Sequence, residues 1–342
     1  MDYNIFAQDI SVALKEGLYY NKKDGSAECL LCPHNCIVPA GKRGICGSRE
    51  GRDGKLYTAI YGEVSSAAMD PIEKKPLYHF YPGSKIFSIG TKGCNLKCPF
   101  CQNWSISQER DTHSKYYGPE EIVKAAVSGD SIGIAYTYSE PVIWFEYVKD
   151  TSLLAKKNGL KNVLVTNGYI NQAPLEEMLE FIDAMNIDLK CHNSDTYSKK
   201  LKGGLGSVKD TIRTAYNKGC FIEITTLIVP KINDNINELM EIADFIASID
   251  KRIPWHLSRY YPSYKYNEAS TDIDFIAKVW ESASRILDYV FTGNIHSGDA
   301  KTDTLCPKCH TVIINRKGYA TTIKNLDNGS CIKCGHELSI IH

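Results

Sequence analysis

The sequence predicts an α/β protein built on a (β/α)6 partial TIM barrel, with a small cysteine-rich extension before it and a second cysteine-rich module after it. Three observations carry this. Six short β-rich runs alternate with helical patterns through the middle of the chain. Several of those runs are nearly continuous apolar stretches, as in parallel strands covered on both faces. Eleven of the thirteen cysteines fall into three clusters, at 29–46, 94–101 and 306–334, and two of these lie outside the alternating region.

The first strand is KIFSIG (85–90). The helix pattern GPEEIVKAAVSG follows, with Pro119 near its start and acids in its first turn. IGIAYTY (132–138) leads to PVIWFEYVKDTSLLAKKNG, which ends in lysines and then Gly159, a C-terminal stop. NVLVT (162–166) is followed by APLEEMLEFID, and AMNIDL (184–189) by GSVKDTIRTAYNKG. FIEITTLIV (221–229) precedes NINELMEIADFIASI, and PWHLS (254–258) precedes DIDFIAKVWESASRILDYV. Six strand–helix units in order imply a parallel sheet curled toward a barrel, short of the eight of a closed one. The expected division is an extension over 1–80, a barrel over 81–292 and a tail over 293–342, with TGNIHSGDAKTDT as the linker to the tail.

The chain has 342 residues, 43% of them hydrophobic, enough for one large core with small satellites. Forty basic and forty acidic residues cancel, so there is no strong nucleic-acid signal. No stretch approaches eighteen apolar residues, so no membrane span is expected. The opening MDYNIFAQDISVALKEG carries acids and lacks the apolar core of a signal peptide, which reads as cytoplasmic. In that setting clustered cysteines point to metal rather than to disulfides.

In a parallel α/β barrel, functional residues sit on loops at the C-terminal ends of the strands. IGTKGCNLKCPFCQNW (89–104) places Cys94, Cys98 and Cys101 just after the first strand, with Gly90 and Gly93 to let a bulky group approach. A four-iron cluster normally takes four thiolates, so three leave one iron open to a small chelating molecule. A three-cysteine zinc site or an incidental loop are the plainer alternatives. The other strand ends also carry polar residues: Ser139 and Glu140 in YTYSEP, Asn167 in TNGY, Asp188 and Lys190 in IDLK, Thr225 and Thr226, and His256 in PWHLSRYYP. Helix caps and solvated loops account for any one of these, but poorly for all of them together.

The Cys-x3-Cys-x2-Cys spacing resembles the radical S-adenosylmethionine (SAM) superfamily. That resemblance implies a [4Fe-4S] cluster on Cys94, Cys98 and Cys101, with SAM on the open iron and the aromatic Phe100 near the adenine. The order of TNG, DLK, VP…D and an aromatic-His stretch is similar to glycyl-radical activating enzymes such as pyruvate formate-lyase activase. By that likeness Glu140 contacts the SAM amino group, Asp188 and Lys190 hold the ribose and carboxylate, and Ser139, Asn167 and His256 line the same site. The family usually has two glycines before the glutamate, where this chain has Tyr138 and Ser139. Over nearly its whole length the chain resembles the radical SAM component of the AmmeMemoRadiSam system, through CLLCPHNCIVPAGKRGICGSR, DPIEKKPLYHFYPGSKIFSIGTKGCNLKCPFCQNW and YTYSEP.

In the tail, CPKC (Cys306, Cys309) and CIKCGH (Cys331, Cys334) form two Cys-x2-Cys pairs, the pattern of a four-thiolate zinc ribbon or rubredoxin-like knuckle. Gly318 and Gly329 supply turns, TVIINRKGYATTI is β-rich, and structural zinc is the expected metal, with His310 and His336 not needed as ligands. Cys29, Cys32, Cys36 and Cys46 match no standard ribbon and suit zinc or an auxiliary iron–sulfur cluster. Cys220 reads as core, and Cys191, next to Lys190, as a small buried hydrophobe, with a hydrogen-atom donor or ligand at the barrel mouth as the alternative.

The leading expectation is a radical enzyme that cleaves SAM reductively and takes hydrogen from a small-molecule or protein substrate, fed by an electron donor such as a flavodoxin or ferredoxin. Installing a glycyl radical on a partner protein is the alternative within that class. A metal-stapled binding module without catalysis is the alternative from another class, and electron transfer alone a weaker third. Formation of 5′-deoxyadenosine separates the enzyme from the other two.

Overall fold

The structure, a computed structural model, describes residues 14–109, 112–295, 298 and 300–342. Much of the N-terminal leader and part of the linker stretch read from the sequence lie outside these residues. One eight-stranded mixed sheet organises the chain: β1 (Ser66–Pro71), β2 (Lys85–Gly90), β3 (Gly133–Tyr136), β4 (Lys161–Thr166), β5 (Ala184–Asp188), β6 (Phe221–Ile228), β7 (Trp255–Arg259) and β8 (Val290–Gly293). Spatial order follows chain order throughout. The seven strands from β2 onward run parallel, and β1 is antiparallel to β2.

All six expected strands and their helices are present. The helices are α1 (Pro119–Ser128), α2 (Phe145–Lys157), α3 (Gln172–Met178), α4 (Leu205–Asn217), α5 (Ile236–Ala247) and α6 (Ile273–Ala283). Pro119 occupies the first turn of α1, where its missing N–H costs nothing. Asn235 and Asp272 cap α5 and α6 with their side chains. Two strands lie beyond the six-strand expectation. Val290–Gly293 spans the last residue of the expected sixth helical pattern and the start of the expected linker, and Ser66–Pro71 belongs to the nominal extension, where its burial alternates and gives no continuous apolar run.

The strands from β2 to β6 bury residues on both faces. The helical face packs stripes such as Leu239, Ile242, Ala243 and Ile246 of α5. On the other face Ile86, Ala135, Val163 and Ala184, one from each of β2 to β5, are covered by Ile72, Leu77 and Phe80. The segment between β1 and β2 therefore plugs one end of the inner face, leaving the other end, where the strands terminate, for polar groups. The plug is tied down by Asn186 Nδ2 donating to the Pro76 carbonyl (2.8 Å) and the His79 amide donating to Glu223 Oε1 (2.8 Å).

The N-terminal extension forms two small antiparallel sheets, one from 15–16, 49–52 and 55–58 and one from 20–23, 26–29 and 37–39. Its buried residues Ala27, Leu31, Val38 and Leu56 are continuous with the main core. A buried ion pair, Arg49 to Glu146 of α2 (2.8 Å), crosses that junction. The tail is a hairpin, β9 (Val312–Lys317) and β10 (Ala320–Ile323), with Gly318 in its turn at φ +59°. It has its own small core of Ile313, Ile314, Leu338 and Ile340 around the cysteines. Among the described residues, no helix is long and apolar enough to cross a membrane.

Candidate metal and cofactor site

The loop after β2 carries Cys94, Cys98 and Cys101 and is held from several directions. Leu96 N–H donates to Cys94 Sγ (3.3 Å), Lys97 Nζ donates to the Cys94 carbonyl (3.1 Å), and the Ser263 hydroxyl donates to the Cys101 carbonyl (3.0 Å). Gly93 sits at φ +98°, and a Cβ there would lie 2.6 Å from the Cys46 carbonyl oxygen. A Cβ on Gly90 would lie 2.7 Å from the Thr137 carbonyl oxygen. Both glycines admit neighbouring backbone, rather than a ligand, at close range.

The three cysteines line one cavity of about 550 Å³ at the C-terminal ends of the strands. That is within the usual range for a small-molecule site. Phe100, Ser139, Glu140, Asn167, Asp188 and Lys190 line the same cavity, so six separately placed sequence candidates converge there. Lys190 Nζ lies 2.9 Å from Asp188 Oδ2. Burial works against the Lys190 charge, but Asp188 and the Cys98 thiol outweigh it and raise its pKa. Burial pushes the Cys98 thiol up to about 11, with Lys190 pulling the other way. Burial, then Glu140 and Cys98, raise the Cys94 thiol well above its ordinary value. Thiols in this state ionise by binding metal, not by losing a proton to water.

Asn167 ties the site together. Its Nδ2 donates to Asn95 Oδ1 (2.9 Å) and reaches Cys94 Sγ (3.6 Å). Its backbone N–H donates to Glu140 Oε2 (2.8 Å). Glu140 Oε1 accepts from Thr166 Oγ1 (2.6 Å) and from Val142 N–H (3.0 Å). Burial raises the Glu140 pKa to about 7 against these stabilising bonds. Two buried hydroxyls on the lining, Ser139 Oγ and Thr225 Oγ1, have no hydrogen-bond partner among the described residues. Orphaned polar atoms of this kind in a cavity wall fit a polar ligand. Three thiols plus a lysine–carboxylate pair and unpaired hydroxyls therefore fit a cluster with an open iron and a zwitterionic chelator on it.

His256 departs from its expected place. It is not among the residues lining the cavity, and its Nε2 lies 2.6 Å from Glu223 Oε2, both side chains being buried. Its ring packs edge-on to Tyr78 at 4.7 Å and against Phe291 at 5.4 Å. It lies two residues before Ser258, which does line the cavity, so it points to the same face one layer deeper.

Tyr138 stands where two glycines are usual in the resembling enzymes, and it adopts φ +66°, the region glycine favours. Its ring lies under Lys75 Nζ at 4.4 Å, and its hydroxyl donates to Asp70, which also pairs with Lys74 and Lys75. That network offsets the strain of a left-handed tyrosine, of order 1–3 kcal/mol. Lys74, Lys75, Tyr138 and Tyr319 of the tail hairpin all line the cavity, and sequence reading assigned none of them to the site. The pattern KKP in the plug gave a charge pair with no spacing to mark it. Tyr319 reaches the cavity only because the tail folds back.

In the tail, Cys306 Sγ and Cys334 Sγ are 3.6 Å apart, and Cys309 Sγ and Cys331 Sγ 3.7 Å. A tetrahedron with Zn–S of about 2.3 Å has edges of about 3.8 Å. The Thr311 hydroxyl and then its amide hold the Cys309 thiol below its ordinary value. Cys29, Cys32, Cys36 and Cys46 face a common recess, but among the described residues the tail set is the one group whose ligand atoms all lie within 4.8 Å of each other. Cys191 and Cys220 are buried and line neither the cavity nor the recess.

The Radical SAM superfamily profile matches residues 88–246, the stretch that holds the three-cysteine loop and the next four strand ends. Uncharacterized protein MJ0808 of Methanocaldococcus jannaschii is 41% identical over 338 residues, covering 96% of this chain and all of the relative. This chain belongs to the radical SAM superfamily. As a radical SAM enzyme it binds an iron–sulfur cluster and SAM. It is also 26% identical over 181 residues to the pyruvate formate-lyase-activating enzyme of Clostridium pasteurianum, covering 48% of this chain and 73% of that one. Among solved structures, SuiB of Streptococcus suis bound to S-adenosylmethionine has a TM-score of 0.49 at 15% identity, over 64% of this chain and 50% of that one.

Proposed function

We propose that this radical SAM enzyme holds its [4Fe-4S] cluster on Cys94, Cys98 and Cys101 and abstracts hydrogen from a substrate seated in the outer half of the same cavity. The observation that carries this is the convergence of three thiols with the Asp188–Lys190 pair in one cavity at the strand ends. With cluster and SAM bound, one-electron cleavage of the sulfonium supplies a 5′-deoxyadenosyl radical. The chain's own residues bind, orient and exclude. Lys190 pairs with the SAM carboxylate, and Asp188 accepts from the ribose hydroxyls while fixing the Lys190 ammonium. Glu140, Asn167 and Ser139 surround the SAM amino group, and Phe100 covers the adenine. Glu140 also braces the ends of β3 and β4 through its three accepted bonds.

The sheet reads as a partial barrel whose mouth is this cavity, plugged at the far end by 72–84. Lys74, Lys75 and Tyr319 would meet the substrate, and the one lysine charge that Asp70 leaves unbalanced favours an anionic one. Activation of a partner protein by a glycyl radical is a second reading. It is favoured by the activating-enzyme relative, whose match covers about half of the chain and not the whole of it. The tail thiols take structural zinc, the four N-terminal thiols hold a second metal centre, and a flavodoxin- or ferredoxin-type donor supplies electrons. All thirteen cysteines are free thiols, which suits a reducing cytoplasm.

Anaerobically reconstituted protein given dithionite and SAM should release 5′-deoxyadenosine and methionine. The Cys94→Ala/Cys98→Ala/Cys101→Ala variant should release neither, and turnover by that variant would refute the assignment.

A further inference from the structure

We propose that Cys29, Cys32, Cys36 and Cys46 hold an iron–sulfur cluster, not structural zinc, and that it relays electrons to the neighbouring Cys94–Cys98–Cys101 centre. The proposal rests on the reading above that these four thiols bind metal.

All four cysteines line one recess, together with His34 and Arg49. Arg49 is 1% exposed and pairs with Glu146, but its Nε and Nη2 have no hydrogen-bond partner among the described residues. Glu146 balances its charge, but two buried nitrogens beside four thiols are left without an acceptor among the described residues, which thiolate sulfurs would supply.

Thiol spacing separates the two kinds of metal. The tail sulfurs stand at 3.6 and 3.7 Å, as one ion requires. No three of the N-terminal sulfurs lie within 4.8 Å of one another, although all four face the same recess. A cubane spreads its thiolates because each binds a different iron. The Cys94 loop, where an iron–sulfur cluster binds, shares that looser arrangement, since it too forms no group within 4.8 Å.

The two centres adjoin through one residue. Asn95, fully buried, follows Cys94 directly, and His34, which lines the recess, meets its carbonyl. Asn95 Oδ1 accepts from Asn167 Nδ2, the same group that reaches Cys94 Sγ, and the Asn95 carbonyl is 2.7 Å from His34 Nε2. On the other side Gly93 touches the Cys46 backbone. Cys46 also lines an open cleft of about 230 Å³ with Arg43, Lys92, Lys97 and Glu109, where Arg43 and Lys92 are paired with Glu50 and Glu63. One electron from a flavodoxin- or ferredoxin-class donor would thus arrive at the Cys46 side and leave through Asn95. It would end in the S–C5′ bond of SAM, which breaks to methionine and the deoxyadenosyl radical, with no bond made at the relay.

The test uses the full chain, reconstituted anaerobically with iron and sulfide. Wild type should carry about eight irons, and the Cys94→Ala/Cys98→Ala/Cys101→Ala variant about four, with an S = 1/2 EPR signal on dithionite reduction. A Cys29→Ser/Cys36→Ser variant should also drop to about four irons, and its remaining signal should still respond to SAM. Fully reduced wild type should show spin–spin broadening that neither variant shows. Iron lost from wild type to the triple variant tests the SAM-cluster reading, and iron kept by the triple variant tests this one. A triple variant holding a second zinc and no iron overturns the proposal. So does a wild-type spectrum equal to the sum of the two variants' spectra, which would mean that the centres are not coupled.

Discussion

Replacing Arg316 by methionine should detach the tail from the sheet more readily than any single loss from its small core. Arg316 is 4% exposed, and its Nη1 donates to the Thr302 carbonyl and to Thr304 Oγ1, both at 3.0 Å. Its Nη2 donates to the Tyr78 carbonyl, its guanidinium carbon lies 4.2 Å from the Tyr78 ring centre, and its Nε lies 3.7 Å from Glu73 Oε1. Glu73 is itself 2% exposed and accepts from Gly83 N–H (2.8 Å) and Thr321 Oγ1 (2.7 Å). Methionine fills the space but strands the Glu73 carboxylate. Breaking a buried pair on one side costs about 3–5 kcal/mol, more than the ~1 kcal/mol of a neutral hydrogen bond. With a urea slope of about 1–3 kcal/mol/M, the midpoint should fall by at least about 1 M. The assay is urea-dependent release of the tail metal to a chromophoric chelator, in the intact protein. Adding Glu73→Gln should restore much of the loss, because removing both charges leaves no unpaired ion. An unchanged midpoint for Arg316→Met, or no recovery in the double variant, would refute the clamp.

Asp188→Ala and Lys190→Ala should each weaken SAM binding about ten- to a hundredfold at matched iron content, the loss of one charged hydrogen bond worth about 1.5–3 kcal/mol. Titration of the cluster spectrum with SAM measures it, and wild-type affinity in both variants would move the SAM pocket elsewhere. Gly93→Ala should lower iron incorporation after reconstitution, since its Cβ would lie 2.6 Å from the Cys46 carbonyl oxygen at φ +98°. A fully loaded Gly93→Ala protein would show that the loop can relax. Burial, then Arg316 and His256, hold the His79 pKa well below 6.5, so the unfolded chain takes up that proton first as pH falls. Stability from this group is complete above pH ~6.5 and is lost from there down toward the lowered folded value. Melting curves between pH 7.5 and 5.5 should therefore be less steep in pH for His79→Gln than for wild type, and equal slopes would exclude the effect.

The sequence marked those parts of the site that depend on local spacing. Three cysteines in eight residues, and polar residues at the ends of apolar runs, are visible without a structure because a parallel sheet puts every strand end on one rim. Depth along a strand is not visible in that way. His256 and Ser258 share a face, yet one packs against Glu223 and the other lines the cavity. β8 was hidden because Tyr289, Val290 and Phe291 continue the apolar spacing of the helix before them. β1 was hidden because an antiparallel edge strand with one wet face needs no apolar run. Lys75 and Tyr319 reach the cavity through contacts between segments remote in sequence, for which no periodicity exists. The N-terminal cysteines were legible as a set. Their nearness to Cys94 was not, since nothing in the sequence shows that His34 meets the Asn95 carbonyl or that Gly93 packs on Cys46.

The plug between β1 and β2 also bears on how the protein is made. Tyr78 meets Arg316 across 238 residues of sequence, and Phe80 pairs with Ile341. At about 5–20 residues per second, on the order of 10–50 s of synthesis separates the plug from its tail partners. Through that interval the Cys94 loop already exists while the wall that Tyr319 contributes does not. Between the synthesis of Asn294 and that of Tyr319, both on the lining, nascent chains therefore pass through a stage with the cavity open on the tail side. Once the hairpin docks, the same cavity becomes a narrower one, and a cluster lost by the mature protein must be replaced through that smaller opening.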